Sequence, residues 1–526
     1  MSGPVFDTTE RPIHVHALLT DRTRRRPDDE VLRFQGQSMT WAKLTDRVAR
    51  GAAALRAAGL TPGARVAVLD LNHPSCLEIT LACAQVGTVN VAVNFRLTAA
   101  EIEYVINDAQ AEMLFVGPEL EPTVTAILDR LPTVRRVVRV GGDHDEYDRD
   151  WLSTDPDHEV YLAEPDECVL QLYTSGTTGF PKGAMLTHRG LLAHSASLSA
   201  AMSADETSSV LVVMPLFHAG GSSYALTALY AGSRLVLVRT PVADQLPALL
   251  ASEHITHTVF APALLAAFIA VEGVGQHDYS ALRVLGYGAS PIPLPVLRAS
   301  MDIFPDVLMQ FYGTTETTGV ISVLGTAEHA DADHPRRLVS AGTQLSGCEI
   351  EIHSPESGAP VPTGDAGEIW VRTPQLMLGY WNNPAATAAV IDTNGWYHTG
   401  DAGYLDADGY IYITDRIKDL IVSGGENIYP AEIERVLAEH QSVADLTVIG
   451  VPDDRWGEVP KAVVVAADGH IVDEAELLAY CHERLAPYKC PKSVDTVDEL
   501  PRNSTGKILK KDVRAKYWEG RERRTV

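Results

Sequence analysis

Cys168-Val169-Leu170-Gln171-Leu172 runs directly into Tyr173-Thr174-Ser175-Gly176-Thr177-Thr178-Gly179-Phe180-Pro181-Lys182-Gly183. The first five residues form an apolar run that predicts a buried strand. The loop that follows is dense in glycine and hydroxyl groups and carries one lysine. Glycine lets the backbone bend tightly and bring its N–H groups close to a ligand. Consecutive backbone amides form an anion-binding concavity. The hydroxyls of Thr174, Ser175, Thr177 and Thr178 and the ammonium of Lys182 add donors and positive charge, so the stretch suits a polyphosphate. It lacks the Gly-x-x-x-x-Gly-Lys-Ser/Thr spacing of a Walker loop. A plain surface loop is also rich in Gly, Ser and Thr, but it needs no such density of phosphate donors straight after a strand.

Outward from this loop, strands and helices alternate. Leu44, Val48 and Leu55 keep helical spacing, and Gly59 stands where that helix should end. Arg65 to Leu71 predicts a strand. Thr98-Ala99-Ala100-Glu101 is a capping box opening a helix to about Ala109, and Met113 to Val116 is the next strand. The pattern returns at Val210 to Met214, Arg234 to Val238 and His257 to Ala261. Such alternation predicts an α/β architecture with largely parallel sheets. Between about Gly342 and Ile413 the segments shorten and turns crowd in, which predicts an antiparallel, barrel-like piece. After Asp415 a small α+β unit is expected, with Pro430 at a helix start and strands near Leu446–Val451 and Ala462–Ala467.

The chain has 526 residues, too many for one core, which predicts two or three domains. Its formal charge of −26 argues against a nucleic-acid binder and against a polybasic membrane patch. The six cysteines form no Cys-x-x-Cys pair and read as reduced, mostly buried thiols. The N-terminus has neither a basic start nor an apolar run, so no secretory signal is expected. No apolar run is long enough to span a bilayer. A cytoplasmic enzyme is the expectation.

Three more constellations carry chemistry. Gln310-Phe311-Tyr312-Gly313-Thr314-Thr315-Glu316 offers an aromatic face for a purine, hydroxyls for phosphate and a carboxylate for Mg²⁺, which favours one or two protein carboxylates. Trp396-Tyr397-His398-Thr399-Gly400-Asp401, followed by Asp415-Arg416-Ile417-Lys418-Asp419, offers a carboxylate suited to ribose hydroxyls and an arginine for ribose or phosphate. Pro501-Arg502-Asn503-Ser504-Thr505-Gly506-Lys507 sets a lysine on a glycine-containing turn, from which it can reach into a site as a point charge. Taken singly, each also has a plain reading: a helix-capping Glu, a surface turn, an exposed lysine.

Together, from about Ala42 to Lys510, these signals resemble the adenylate-forming enzymes, and within them the acyl-CoA synthetase branch. The resemblance implies a large N-terminal domain, residues 1–416, of two doubly wound sheets plus a small barrel-like subdomain. It implies a small mobile α+β C-terminal domain, residues 417–526, hinged at Lys418. It further implies that the loop with Thr174, Ser175, Gly176, Thr177, Thr178 and Lys182 holds the ATP phosphates. Gly288, Ala289, Ser290, Gln310, Tyr312, Gly313 and Thr314 frame the nucleotide, Thr315 contacts the α-phosphate, and Glu316 binds Mg²⁺. Asp401 and Arg416 hold the ribose, and Lys507 serves adenylation. The loop Ser423, Gly424, Gly425, Glu426 arrives for transfer to CoA once the small domain has turned.

Met214 to Gly221 bears on the acid. No carboxylate lies between Val210 and Arg239 to pair an ammonium group, so an α-amino acid is not expected. Phe217-His218 resembles the acyl-CoA synthetases, with His218 guiding the carboxylate or gating the pocket. The expected pocket lining is Phe217, Ala219, Gly220, Gly221, Tyr224, Pro262, Gly286 and Tyr287. Small residues there predict room for a chain, which puts a fatty acid ahead of an aryl acid. The expected partners are ATP, a small carboxylic acid and CoA, with an acyl carrier protein as the alternative acceptor.

Overall fold

The computed structural model describes residues 14–174, 181–416, 419–423, 426–453, 455–502 and 508–519. Two large sheets dominate it. In the seven-stranded sheet the order is Gly379–Tyr380, Lys182–Thr187, Cys168–Thr174, Val89–Ala92, Arg65–Leu69, Met113–Val116, Arg136–Arg139. The last five are mutually parallel, and the first two join antiparallel. The nine-stranded sheet runs Thr343–Gln344, Gly319–Leu324, Leu308–Thr314, Val284–Gly288, His257–Phe260, Ser209–Val212, Arg234–Leu237, Glu30–Phe34, Gln37–Thr40. Its six strands from Leu308–Thr314 to Glu30–Phe34 are parallel.

The period-two alternation of each strand sorts its residues between cores. Val66 and Val68 face one way with Leu170, Leu172, Val210 and Val212, in a single buried cluster that also takes Leu191, Leu198, Ala225 and Leu229 from the helices His188–Met202 and Ala219–Ala231. Ala67, Leu69 and Leu114 face the other way, against Ile102, Val105 and Ile106 of the helix Ala99–Asp108. Leu211, Val213, Leu285 and Tyr287 likewise turn to Leu265 and Phe268 of the helix Pro262–Ile269. Sheets covered on both faces need apolar residues at nearly every strand position, which is why these strands read as continuous apolar runs. Each fully buried Leu or Val contributes roughly 1.5–3 kcal/mol.

The expected helix opened by the Thr98 capping box is present with both reciprocal bonds. The strand expected to reach Leu71 stops at Leu69. Beyond it, Asp70 pairs with Arg239 at 2.8 Å, and Asn72 bonds to the other sheet. The piece expected to be barrel-like is an antiparallel sheet, Glu349–His353, Gly367–Arg372, Tyr397–Leu405, Ile411–Arg416. Its outer strands do not pair with each other among the described residues, so it is open. The short strand Gly379–Tyr380 leaves it to extend the seven-stranded sheet.

The C-terminal part is a five-stranded sheet containing Ile421–Ser423, Val443–Asp453 and Gly457–Ala466. The helices Pro430–Leu437 and Glu474–His482 supply Ile433, Leu437, Leu477 and Cys481 to its core. Among the described residues no helix is long and apolar enough to cross a membrane.

Candidate active site

The polar candidates gather where parallel strands end, as expected for ligand sites in α/β sheets. Thr174 closes its strand and is the register partner of Lys182, so the two bracket the loop. Ser175, Gly176, Thr177 and Thr178 lie outside the described residues. The Lys182 ammonium stands 5.2 Å from the centre of the Tyr380 ring. The Tyr380 hydroxyl donates to Glu316 Oε1 at 2.7 Å. Burial, reinforced by the Glu316 carboxylate, pushes the Tyr380 hydroxyl well up, so it stays a protonated donor. Tyr397 is buried and also shifted up, with Glu316, Tyr380, Thr314 and Asp401 around it. Neither tyrosine belongs to a phosphate or metal motif. Tyr380 reaches the site only because its two-residue strand pairs with that of Lys182.

The turn bearing Thr315 and Glu316 is fixed from beneath. Thr317 Oγ1 donates to the Gly319 carbonyl at 2.8 Å, and the Thr314 N–H donates to Thr317 Oγ1 at 3.1 Å. Thr318 adopts φ +62°, a strained choice for a β-branched residue that costs about 1–3 kcal/mol. It is held there by a bond from its hydroxyl to the Gln375 carbonyl at 2.5 Å. The Gln375 amide donates to the carbonyls of Thr317 and Val320 at 2.9 and 2.7 Å.

On the nucleotide side, the Tyr312 hydroxyl donates to Asp401 Oδ2 at 2.7 Å. Asp401 is buried, and its N–H donates to Thr399 Oγ1 at 3.0 Å. Arg416 is its partner across the antiparallel pair. Gly288 lies beside Phe311 on the neighbouring strand, where a Cβ would collide with the Phe311 carbonyl. Ala289, at φ +66°, and Ser290 are exposed beyond it, while Gln310 pairs with Tyr287 and Gly313 with Val320.

On the acid side, His218 caps the helix Ala219–Ala231: Nδ1 accepts the Gly220 N–H at 3.1 Å. An accepting Nδ1 carries no proton, so the neutral ring bears it on Nε2. Burial, helped by Arg96, pulls the His218 pKa down and keeps the ring neutral. Phe217 is buried edge-on to Phe95, with centroids 5.1 Å apart. Buried Ala219 follows the cap, and Pro262 opens the helix that starts beyond the strand His257–Phe260.

Three expected pocket residues behave otherwise. Tyr287 faces the opposite core from Gly286, because consecutive strand residues alternate, and its hydroxyl contacts His329 Nε2 at 2.9 Å. A Cβ on Gly221 would collide with the Pro215 carbonyl and come 2.7 Å from that of Met214. Gly221 is therefore small to admit its own backbone, not a ligand chain. A Cβ on Gly286 would strike the Phe311 ring and lie 3.0 Å from Val259 Cγ2.

Asn72 had no motif to announce it. It is 2 % exposed; its amide donates to the carbonyls of Met214 and Val238, both at 3.1 Å, and its oxygen accepts the Leu216 N–H at 2.8 Å. It thereby fixes the start of the segment that delivers Phe217 and His218.

Lys507, Lys418, Gly424 and Gly425 lie outside the described residues. Ser423 and Glu426 pair across their hairpin. On the approach to Lys418, Asp415 accepts the Ala431 N–H at 2.8 Å and lies 3.9 Å from the Lys510 ammonium.

Residues 19–381 match the family model of the AMP-binding enzyme, and residues 432–507 match that of the AMP-binding enzyme C-terminal domain. The chain is 41% identical over 498 residues to a feruloyl-CoA synthase from an Amycolatopsis species, covering 94% of this chain and 97% of the relative. It is 38% identical to the fatty acid–[acyl-carrier-protein] ligase ScoC of Streptomyces coeruleorubidus, covering 94% and 95%. Among solved structures it superimposes on the o-succinylbenzoate CoA synthetase MenE of Bacillus subtilis in complex with its acyl-adenylate intermediate. The TM-score is 0.84 and the identity 31%, over 94% of this chain and 97% of that one.

Proposed function

The chain belongs to the AMP-binding enzyme family, and we propose that it joins an aromatic carboxylic acid to coenzyme A through an acyl-adenylate. In the first half-reaction a carboxylate oxygen attacks the α-phosphorus of ATP, the bond to the bridging oxygen breaks, and pyrophosphate leaves. In the second, the CoA thiolate attacks the activated carbonyl and AMP departs. Both steps depend on positioning and on charge placed where charge develops. In this reading Lys182 and Thr174 serve the phosphates, Tyr312 and Asp401 the nucleoside, and Thr315 the α-phosphate. The neutral His218 offers Nε2–H to the acid without a competing charge. Lys507 takes the adenylation role that the family resemblance gives it.

Glu316 fits a magnesium ligand. One oxygen is taken by Tyr380, the other has no hydrogen-bond partner among the described residues, and Mg²⁺ in such sites takes one or two carboxylates beside phosphate oxygens. When bound, the ion neutralises phosphate charge.

The observation that carries the aromatic reading is the occupancy of the spaces offered to a long chain. Pro215 fills the room expected at Gly221, and the Phe311 ring the room expected at Gly286. Beside His218, the Phe217 ring packs edge-on against that of Phe95. The similarity to a feruloyl-CoA synthase points the same way, and an aryl acid therefore moves ahead of a fatty acid. Similarity to an acyl-carrier-protein ligase keeps the carrier thiol as the second acceptor to test. Pyrophosphate release should be measured over benzoic, phenylacetic and cinnamic acids and straight-chain acids of graded length, with CoA, with holo-carrier protein and with neither. Activation of straight-chain acids alone would refute the aromatic reading, and thioester formed only on the carrier would refute CoA as acceptor.

A further inference from the structure

Thr318 is fully buried and holds φ at +62°, a backbone conformation that glycine adopts freely and a β-branched residue does not. A glycine at this position would carry no strain, so what threonine adds is its hydroxyl. That hydroxyl donates to the Gln375 carbonyl at 2.5 Å. Gln375 is 1 % exposed and returns two bonds, from its side-chain amide to the carbonyls of Thr317 and Val320. Two residues further on, the Met377 N–H donates to the Glu316 carbonyl at 2.8 Å.

The helix His188–Met202 completes the seat. His194 accepts the Val320 N–H at 3.1 Å, and Gly190 leaves room for the Thr318 hydroxyl, since a Cβ there would lie 3.2 Å from that oxygen. The turn adds a bond of its own, from the Thr318 N–H to the Thr315 carbonyl at 2.9 Å. Two elements remote in sequence thus fix the backbone from Glu316 to Val320. Strained residues persist where their surroundings over-determine them, and they gather where geometry matters to chemistry.

We propose that Gln375 and Thr318 are positioning residues for the adenylation step, setting the turn in advance so that Thr315 and Glu316 meet the α-phosphate and its metal without reordering. This rests on the adenylation reading above. Both residues lie buried beneath the turn and act through it. Groups already aimed where charge develops stabilise the transition state without reorganising at the moment of reaction, and a displacement of reacting groups by about 1 Å costs up to about a hundredfold in rate.

The test is Thr318→Gly, which removes the strain together with the hydroxyl. Its melting point should stay close to that of wild type, because relief of the strain offsets the lost bond. With MgATP and the acid most active in the panel above, kcat for pyrophosphate release should nonetheless fall about ten- to a hundredfold. KM for the acid should hold, and MgATP should raise the melting point less than it does in wild type. Thr318→Ser keeps the hydroxyl and should retain the wild-type rate and the MgATP response. Gln375→Met fills similar space without the amide and should share the rate loss of Thr318→Gly. In the double variant the two losses should not multiply, since both act through one turn. A stable Thr318→Gly with wild-type kcat and MgATP response would overturn the proposal, and so would a variant whose melting point, kcat and acid KM all worsen together. A wild-type chain that releases no pyrophosphate with any acid of the panel would refute the adenylation reading itself.

Discussion

Replacing Asn72 by Ala should loosen the acid pocket while sparing the nucleotide site. The side chain spends both amide donors and its oxygen on three backbone groups, the carbonyls of Met214 and Val238 and the N–H of Leu216. A net hydrogen bond is worth about 0.5–1.5 kcal/mol, so three lost together come to about 3 kcal/mol, and the stranded buried Leu216 N–H pushes the figure upward. Because Asn72 joins the carboxyl ends of the two large sheets, the melting of the large domain should report this loss. The functional effect is separate. Met214 and Leu216 lead into Phe217 and His218, and a displacement of reacting groups by about 1 Å costs up to about a hundredfold in rate. At a temperature well below melting, kcat/KM for the acid should fall about ten- to a hundredfold, and KM for ATP should hold. Asn72→Asp keeps the acceptor but turns a carboxylate oxygen toward two carbonyls, and should be no better than Ala. If the melting point drops while acid and ATP kinetics stay unchanged, or move together, Asn72 is a fold staple with no bearing on the acid.

The remaining predictions concern packing, metal and pH. Gly221→Ala should lower activity on all acids alike and destabilise by about 1–3 kcal/mol through overpacking against Pro215; a shift in chain-length preference with stability intact would contradict this. Glu316→Gln keeps an acceptor for Tyr380 but loses the charge, so a magnesium titration of pyrophosphate release should shift to higher concentrations, and an unshifted curve at full rate would reduce Glu316 to a structural role. His188 Nδ1 accepts the Val15 N–H and His194 Nε2 that of Val320, and burial lowers both from 6.5 to about 4. Their folded pKa lies below the unfolded one, so the stability tied to the neutral rings is whole above pH 6.5 and is lost as pH falls toward 4. Each contributes a slope of up to about 1.4 kcal/mol per pH unit. His188→Asn and His194→Gln keep the acceptors without the titration and should flatten the melting-versus-pH curve between those limits; an unaltered slope would refute the assignment.

Much of the large domain was legible because its signals are local. The strand Met113–Val116 and the helix begun at Thr98 lie where the apolar run and the capping box put them, since both are decided by neighbours in sequence. Glu316, Tyr312 and Asp401 stood out as a carboxylate, a ring and a second carboxylate in glycine-flanked turns. Tyr380 and Asn72 did not, because pairing across 64 and 142 residues makes them part of the site, and no local pattern encodes it. The pocket was misread for a geometric reason. Gly286 and Tyr287 are adjacent in a strand and so cannot line the same cavity. Smallness at Gly221 looked like space for a ligand, when it is space for the Pro215 backbone.

The contact of Tyr380 with Glu316 has a bearing on how the protein fails. Glu316 sits in a hairpin of the nine-stranded sheet, and Tyr380 in an edge strand of the seven-stranded one, whose chain arrives out of the small antiparallel sheet. Three sheets, the two large ones packed on a shared core, must be docked before one carboxylate, one phenol and Lys182 share a place. No half-assembled form retains a weakened version of the catalytic centre; it simply has none. In a denaturant titration, catalysis should therefore vanish before the ellipticity of either large sheet declines, and in refolding it should return last, so that turnover serves as an assembly gauge. Activity that tracks ellipticity point for point would show instead that the layers dock and unravel as one unit.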